Sequence, residues 1–250
     1  MISIILHGCS GRMGHIITEI CENDPNTGIV AGVDAFGDAY AGYPVYRTLE
    51  ECPEADVVID FSTASAVDGL LAYCSEKKLP VVVCTTGLSE DQTKALHKAA
   101  EKTAVLKSAN MSVGINLLEV LIAQAAPKLA AAGFDVEIVE KHHKMKIDAP
   151  SGTAIALAEA ANDALGGDYE FVYDRSGRRE KRPVKEIGVS AVRGGTIVGD
   201  HDVIFAGQDE VITLSHRAYS RAVFGKGAVE AAKFLSGKES GFYTMGDVLG

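Results

Sequence analysis

The sequence predicts an α/β protein with an N-terminal doubly wound parallel sheet and a second α+β domain built on a mostly antiparallel sheet. The first domain is indicated by short β-branched segments that alternate with segments of helical period. Glycines and small polar residues follow several of these segments, as in open parallel sheets. The second domain is indicated by residues 185–218, which read as a meander of strands separated by Gly-Gly, Gly-Asp and Gln-Asp turns.

Five segments of the first half have the length and composition of buried strands. They are ISIILHG, GIVAGVD, ADVVIDFS, PVVVCTTG and TAVLKSAN. The segments MGHIITEICEN, TASAVDGLLAYCSEKK and SEDQTKALHKAAEK lie between them, and each is long enough to be a crossover helix. This alternation predicts a parallel sheet with helices on both faces.

The second half has a different character. A long apolar helix, GINLLEVLIAQAAPKLAAAG, leads to a strand, FDVEIVEKHH, and to a further helix, TAIALAEAANDAL. The C-terminal helix and tail are predicted to return to the first domain. We therefore expect residues 1–112 and 221–250 to form the first domain, and residues 113–220 to form the second.

Composition argues against several classes of protein. The net charge is -10, the pI is about 5.2, and aromatic residues make up only 6% of the chain with no Trp, so nucleic acid is not expected as a partner. No membrane-spanning run and no signal peptide are evident, which predicts a cytoplasmic protein with no membrane partner. Five cysteines without C-x-x-C spacing predict neither disulfides nor a zinc site. The basic run 175–185 is interpreted as a solvated loop.

Three glycines lie between the first predicted strand and the first predicted helix. Gly8, Gly11 and Gly14 allow a tight turn, close approach of the backbone to a pyrophosphate, and packing of the helix on the strand. The second strand ends at Asp34, 20 residues after Gly14, where a carboxylate can accept hydrogen bonds from an adenosine ribose. A glycine cluster alone can be only a tight turn, but this context favours a Rossmann-like dinucleotide site.

Asp34 also bears on the choice of cofactor. Its carboxylate repels a 2′-phosphate, and the next residue, Ala35, supplies no cation to offset that repulsion. The sequence therefore predicts a preference for NADH and leaves the use of NADPH open. The alternative is that Asp34 is an ordinary turn residue. Thr85, Thr86 and Gly87 follow another predicted strand and are placed to contact a nicotinamide or a ribose.

The segment EKHHKMKIDAPSGTA, residues 140–154, concentrates positive and titratable side chains in an acidic protein. A helix is predicted to begin near Ser151, where the backbone N–H groups of Ser151, Gly152 and Thr153 would form an anion cradle. Lys146 can bind a carboxylate, and a histidine can donate a proton near neutral pH. This chemistry suits a dicarboxylate substrate.

Two other interpretations of the segment remain open from the residues alone. His142 and His143 could bind a metal, but adjacent residues of an extended segment point to opposite faces and no third ligand has a suitable spacing, so no metal is expected. The segment could also be a basic loop before a capped helix. The spacing does not choose between the two histidines.

The same segment resembles the signature E-x-H-H-x-x-K-x-D-x-P-S-G-T-A of the dihydrodipicolinate reductase family (4-hydroxy-tetrahydrodipicolinate reductases). The similarity extends through GCSGRMG, DFST, CTTG, NMSVGINLL, VRGGTIVGDH, SHRAYSR, FGKGAV and MGDVLG. It implies reduction of 4-hydroxy-tetrahydrodipicolinate by NAD(P)H in the diaminopimelate route to lysine, by a homotetramer joined through the C-terminal sheet. The first domain would bind the dinucleotide, and the second would bind the substrate and form the tetramer.

The resemblance also implies roles for individual residues. His142 would be the general acid, and Lys146 would be the second proton donor and carboxylate partner. The dicarboxylate would be held by His143, Ser151, Gly152 and Thr153. The dinucleotide site would be lined by Gly8, Cys9, Ser10, Gly11, Arg12, Met13, Asp34, Cys84, Thr85, Thr86, Ser108, Ala109, Asn110 and Met111.

The sequence departs from the family pattern at a few positions. Cys84 replaces a frequent glycine, Met111 replaces a frequent aromatic residue, and Ala35 stands where some members have arginine. These changes bear on cofactor affinity and preference rather than on the reaction. Met145 stands where some relatives have a third histidine, at a position that the signature leaves open.

Two other functions fit parts of the sequence. One is another two-domain NAD-linked dehydrogenase, acting on an amino acid or an aldehyde, although no cysteine lies in the electropositive setting that an aldehyde mechanism needs. The other is a regulatory module that senses a dinucleotide, which would not need His142 or Lys146.

Overall fold

A computed structural model describes residues 1–37 and 41–250, which form two compact units. The first unit contains Met1–Val113 and Arg221–Gly250, and the second contains Gly114–Ser220. The chain therefore leaves the first unit once and returns to it for its last 30 residues.

Strands and helices alternate along the first part of the chain. The strands are β1 (Ile2–His7), β2 (Thr27–Val33), β3 (Val45–Tyr46), β4 (Val57–Asp60), β5 (Val81–Val83) and β6 (Ala104–Leu106). The helices are α1 (Arg12–Glu22), α2 (Ala64–Lys77) and α3 (Glu90–Ala100), and a 3-10 turn spans Leu49–Glu51.

The rest of the chain supplies the second unit and the return to the first. The elements that lead into and form the second unit are α4 (Val113–Ala131), β7 (Asp135–His142), α5 (Gly152–Ala164), β8 (Glu170–Val172), β9 (Glu186–Arg193), β10 (Gly199–Ala206) and β11 (Val211–Ala218). The return consists of α6 (Ala222–Leu235), β12 (Gly241–Tyr243) and α7 (Met245–Leu249).

The first unit contains a seven-stranded sheet in the order β12-β6-β5-β4-β1-β2-β3, with every neighbouring pair parallel. Successive strand residues face different cores: Ile4 packs with Ile17 of α1 and Leu235 of α6, whereas Ile5 packs with Leu70 of α2. Because both faces are covered, the central residues of these strands are predominantly apolar. The predicted doubly wound sheet is confirmed, and the C-terminal tail adds β12 to its edge.

The second unit contains a five-stranded sheet in the order β11-β10-β7-β9-β8. β10 is antiparallel to both β11 and β7, whereas β9 is parallel to β7 and β8. Leu157 of α5 packs with Ile138, Val189 and Phe205 in the core beneath the sheet. The predicted α+β domain is confirmed. The predicted meander is wrong in one respect, because β7 lies between β9 and β10.

The basic segment 175–185 is bound to the second sheet. Arg175 donates two hydrogen bonds to the Glu137 carboxylate, at 2.9 and 2.8 Å. Arg182 donates to Glu137 at 3.0 Å and to Asp135 at 2.6 Å. The interpretation as a solvated loop is therefore wrong for these arginines, because their partner carboxylates lie on β7, distant in sequence.

Among the described residues, one helix is long and apolar enough to cross a membrane by length and composition, and 28% of its most apolar 18-residue window is buried. It is α4. Helices in the cores of globular proteins also pass such a test. Leu118, Ile122 and Ala126 of α4 lie in the core of the second unit, which accounts for an apolar stripe on this helix.

Gly14 allows α1 to pack closely on the turn before it. A Cβ at Gly14 would overlap the backbone carbonyl of Cys9. We expect Gly14→Ala to lower the free energy of unfolding by about 1 to 3 kcal/mol, measured by urea denaturation. Gly69→Ala in α2 is the control: its Cβ would meet nothing within 4 Å, so it should raise that free energy by about 0.5 to 1 kcal/mol. A similar effect in both variants would contradict this packing argument.

Candidate functional site

The glycine turn between β1 and α1 has the geometry of a dinucleotide phosphate site. Gly8 has a φ of 80°, and a Cβ there would lie 2.6 Å from the carbonyl oxygen of Phe61, so only glycine lets the turn pass this close to the end of β4. Gly11 is the N-cap of α1 and leaves the first-turn N–H groups without side-chain cover. Such a helix N-terminus fits a pyrophosphate.

Asp34 lies just after β2 and is hydrogen-bonded to this turn. Its carboxylate accepts hydrogen bonds from the backbone N–H groups of Ser10 (3.2 Å), Phe36 (3.0 Å) and Gly37 (2.8 Å). Burial opposes ionisation of the carboxyl, but these N–H groups outweigh it and lower the pKa of Asp34.

Arg47, which the sequence analysis missed, lies beside Asp34. The pairing of β3 with β2 brings it there, and its Nη1 donates to the carbonyl oxygens of Asp34 at 3.2 Å and Gly37 at 2.6 Å. The prediction from sequence concerned only the next residue in the chain. The strand pairing adds an arginine from 13 positions away, next to the Asp34 backbone.

The predicted cofactor residues divide by the direction of their side chains. Cys9, Cys84 and Met111 are buried in the core of the first unit, so only their backbone can face a ligand. Ser108 Oγ accepts a hydrogen bond from the Met245 N–H at 2.6 Å and so helps to fix α7. Side chains that are half-buried or exposed also include those of Ser10, Arg12, Met13, Thr86, Ala109 and Asn110.

A buried carboxylate that the sequence analysis gave no role joins several strand ends of the first unit. Asp60, at the end of β4, accepts hydrogen bonds from His7 Nδ1 (2.9 Å), Ser62 Oγ (2.5 Å) and Thr85 Oγ1 (2.7 Å). Burial opposes ionisation, but these donors outweigh it and lower the pKa of Asp60. His7 precedes Gly8, so one carboxylate fixes both the glycine turn and the loop after β5.

A second buried carboxylate, Glu140 on β7, organises the candidate catalytic segment. Glu140 and His142 share a strand face, and His142 Nδ1 lies 2.6 Å from Glu140 Oε2. Arg193 on β9 donates to both Glu140 oxygens at 2.7 Å, and the Ser151 N–H donates at 2.9 Å. The two-residue spacing could have revealed the first contact. The arginine depends on the parallel pairing of β7 with β9.

The charges around Glu140 determine which nitrogen of His142 is reactive. Burial opposes ionisation of Glu140, but hydrogen bonds from Arg193, His142 and Ser151 outweigh it and lower the pKa of Glu140. An ionised carboxylate only accepts, so the imidazole carries a proton on Nδ1. Burial lowers the pKa of His142, and Glu140 opposes that shift. Nε2 is therefore the nitrogen that can take up and release a proton.

His201 on β10 is a second histidine of this cluster, and the sequence analysis missed it. Its ring makes an edge contact with His142, with centroids 5.2 Å apart. Burial, with a smaller contribution from His142, lowers the pKa of His201 to about 4, so this ring is neutral. Its Nε2 lies 3.2 Å from Ser151 Oγ, which caps α5 by accepting from the Ala154 N–H. His201 thus helps to hold the start of α5.

The anion cradle at the start of α5 is smaller than predicted. The Ser151 N–H donates to Glu140, so the expectation that it is open to an anion is wrong. Gly152, the first residue of α5, is exposed. Lys146 Nζ lies 2.8 Å from a carboxylate oxygen of Asp148, which is 59% exposed. Such a surface ion pair is weak, so a ligand carboxylate can compete with Asp148 for Lys146.

The two other predicted substrate residues flank this group. Thr153 lies in the first turn of α5. His143 follows β7, and its buried Nδ1 has no hydrogen-bond partner within the described part of the chain. Within residues 1–37 and 41–250, no cluster of three or more His, Cys, Asp or Glu side chains could hold a metal ion.

The pair of Glu140 and His142 can be tested by removing the carboxylate charge. We expect Glu140→Gln to lower the pKa of His142 further, measured by NMR titration of its ring protons, because Glu140 opposes the effect of burial. The variant should lose about 2 kcal/mol of unfolding free energy at neutral pH, because Arg193 loses its charged partner.

The same variant has a pH signature. The stabilisation by Glu140 is present above the usual glutamate pKa of about 4.3 and is lost as the pH falls towards the lower native value. The stability difference from wild type should therefore shrink in acid. Glu159→Gln, exposed on α5, is the control. A pKa of His142 that is unchanged or raised by Glu140→Gln would count against this electrostatic description.

Comparisons with known proteins agree with this arrangement. The family "Dihydrodipicolinate reductase, N-terminus" matches residues 2–111, and "Dihydrodipicolinate reductase, C-terminus" matches residues 114–249. The 4-hydroxy-tetrahydrodipicolinate reductase of Caldanaerobacter subterraneus subsp. tengcongensis is 52% identical over 250 residues, which cover 100% of this chain and 98% of that protein. That of Clostridium tetani is 46% identical, covering 98% and 96%.

A solved structure extends the similarity to three dimensions. Dipicolinate-bound dihydrodipicolinate reductase from Paenisporosarcina sp. TG-14 superposes with a TM-score of 0.80 at 26% identity, covering 98% of this chain and 97% of that one. Family matches to both parts of the chain, relatives of nearly equal length and a shared fold lead to one conclusion: the chain belongs to the dihydrodipicolinate reductase family.

Proposed function

We propose that this chain reduces 4-hydroxy-tetrahydrodipicolinate to tetrahydrodipicolinate. The substrate, NAD(P)H and a proton give tetrahydrodipicolinate, NAD(P)+ and water. The observation that carries the proposal is the buried Glu140 carboxylate, which holds a proton-transfer histidine and the start of α5 within one hydrogen-bonded group. Dipicolinate in the Paenisporosarcina enzyme supports a small cyclic dicarboxylate as the ligand class.

We assign the dinucleotide to the first unit. When bound, NADH or NADPH supplies the hydride that reduces the substrate ring. The N-terminus of α1 would bind the pyrophosphate, and Asp34 would accept a hydrogen bond from the adenosine ribose. The loops after β5 and β6, with Thr86 and Ala109 exposed, would contact the nicotinamide end. The homotetramer and the cytoplasmic location expected from the sequence remain predictions.

The dicarboxylate is assigned to the start of α5 and the loop before it. Lys146 would exchange Asp148 for a substrate carboxylate and donate a charge-assisted hydrogen bond to it. The Gly152 and Thr153 positions would place helix N-terminal N–H groups near a carboxylate, and His143 would add a ring donor. The net charge of -10 does not prevent this binding, because salt screens distant charges beyond about 8 Å.

His142 is assigned as the general acid. Reduction of the ring moves negative charge towards its nitrogen, and His142 Nε2 would donate the proton that quenches it, after loss of the hydroxyl as water. In the free protein burial favours the neutral ring. The negative charges of a bound dianion and of Glu140 both favour the protonated ring. Substrate binding would therefore raise the pKa of His142 and so increase the fraction of the protein in which His142 carries the proton to be donated. General acid catalysis typically contributes about 10² to 10⁴ in rate.

The roles of His142 and Lys146 are separated by their kinetics. His142→Gln should lower kcat at least about tenfold with little change in NADH binding, because a protonation step is lost. Lys146→Ala should lower kcat and raise the KM for the dicarboxylate by about tenfold, because one charge-assisted hydrogen bond is lost. Lys144→Ala, an exposed lysine of the same segment, is the control.

The measurement is NADH oxidation with freshly prepared substrate, followed over pH. Since the pKa of His142 is lowered, kcat/KM of the wild type should rise as the pH decreases towards it, and His142→Gln should flatten that rise. A wild-type rate in His142→Gln would remove its acid role. A wild-type KM in Lys146→Ala would contradict the assigned carboxylate contact.

Cofactor choice is proposed to favour NADH while admitting NADPH. Asp34 is ionised and repels a 2′-phosphate, but Arg47 lies beside it and can attract one. We expect a higher kcat/KM for NADH than for NADPH in the wild type. Arg47→Gln should reduce the NADPH value at least about fivefold more than the NADH value. A strong NADPH preference in the wild type, or equal losses in Arg47→Gln, would contradict this interpretation of the ribose site.

A further inference from the structure

Lys107 is a charged residue of the first unit that the preceding assignments do not use. It follows β6 at the carboxyl edge of the parallel sheet, the edge at which such sheets bind ligands. Its Nζ donates a hydrogen bond to the carbonyl oxygen of Thr85 at 2.8 Å, in the loop after β5. The ammonium group is therefore fixed beside the loop that is proposed to contact the nicotinamide.

The position is unfavourable for an ammonium without a ligand. Burial lowers the pKa of Lys107, and the neighbouring Cys84 and Asp60 only partly oppose this. A lysine side chain normally packs its aliphatic stem against the protein and leaves its ammonium group in water. Across the described ranges, 1–37 and 41–250, the three N–H groups of Lys107 have one acceptor, the carbonyl oxygen of Thr85. Two donors therefore remain for solvent or a ligand.

The buried Asp60 carboxylate has the opposite charge and must be weighed against Lys107. Asp60 accepts from His7 Nδ1, from the Ser62 N–H and Oγ, and from Thr85 Oγ1, which together fill the positions of a carboxylate. It is fully buried. Lys107 is only half-buried. Of these two charged groups, Lys107 is therefore the one that can make further contacts at this edge of the sheet.

From these contacts we infer that Lys107 contacts the nicotinamide end of the bound dinucleotide and favours the reduced over the oxidised form. The inference rests on the proposed function. The oxidised nicotinamide carries a positive charge that the reduced ring lacks, so a fixed ammonium nearby repels only the oxidised form. The pyrophosphate and adenosine are the same in both forms, so their contributions cancel in the ratio of the two affinities. Lys107 would thereby promote release of the oxidised product.

The alternative is that Lys107 only braces the loop after β5 through Thr85. A brace would support both forms of the dinucleotide alike, because the loop is the same for both. The two roles therefore differ in the ratio of the dissociation constants of NAD+ and NADH, and not in either constant alone.

The test is titration calorimetry of NADH and of NAD+ with the full chain, without dicarboxylate. Lys107→Gln should lower the ratio of the NAD+ to the NADH dissociation constant by about tenfold, or about 1.4 kcal/mol. Lys107→Arg, which keeps the charge, should hold the ratio within about twofold of wild type. Lys102→Gln, an exposed lysine before β6, is the control.

Equal weakening of both nucleotides in Lys107→Gln would overturn the inference and leave the bracing role, and so would no effect on either. If that variant does not fold, Lys107→Met, which keeps the aliphatic stem and removes the charge, should lower the ratio by a similar factor. A ratio unchanged in Lys107→Met would contradict the inference. A wild type that binds NADH but does not reduce the dicarboxylate would instead overturn the proposed function.

Discussion

The second unit depends on the burial of one ionised carboxylate. Glu140 is fully buried, and it remains charged because Arg193, His142 and the Ser151 amide supply four hydrogen bonds. A buried charge that lost one of these partners would be costly, so each partner is held in place by the others. The same contact fixes the tautomer of His142 and anchors the N-cap of α5. Fold and proposed chemistry therefore share a single electrostatic constraint.

The first unit also contains a buried, hydrogen-bonded carboxylate, which there fixes the spacing of the strand-end loops. Asp60 is also fully buried at the end of a strand, and its donors come from three different strand ends. The carboxyl ends of parallel strands carry the loops that bind ligands, and short loops alone do not fix their spacing. The Asp60 carboxylate fixes this spacing as a shared acceptor, since His7 leads into the glycine turn and Thr85 lies in the loop after β5. In each unit, therefore, a buried and fully hydrogen-bonded carboxylate fixes the positions of the residues around the candidate site.

Much of this arrangement could be predicted from local sequence, and the remainder depends on pairing between distant segments. The buried strands and crossover helices follow from β-branched runs and helical period, and Asp34 follows from its spacing after the glycines. Arg47 and Arg193 could not be found in that way, because each reaches its site through a strand pairing. For the same reason the local sequence does not reveal that Arg175 and Arg182 are bound to the sheet, because the β7 carboxylates that accept their hydrogen bonds are distant in sequence.

The most direct test of the Glu140 constraint is the protonation pattern of the His142 ring in the free protein. Nitrogen NMR of histidine-labelled protein near neutral pH distinguishes the two neutral tautomers. We predict that His142 carries its proton on Nδ1, with Nε2 unprotonated, because the ionised Glu140 can only accept. A neutral ring protonated on Nε2 would contradict this prediction, because Nδ1 would then have no proton to donate to Glu140. Nε2 would also not be the nitrogen that takes up the proton of the proposed general acid.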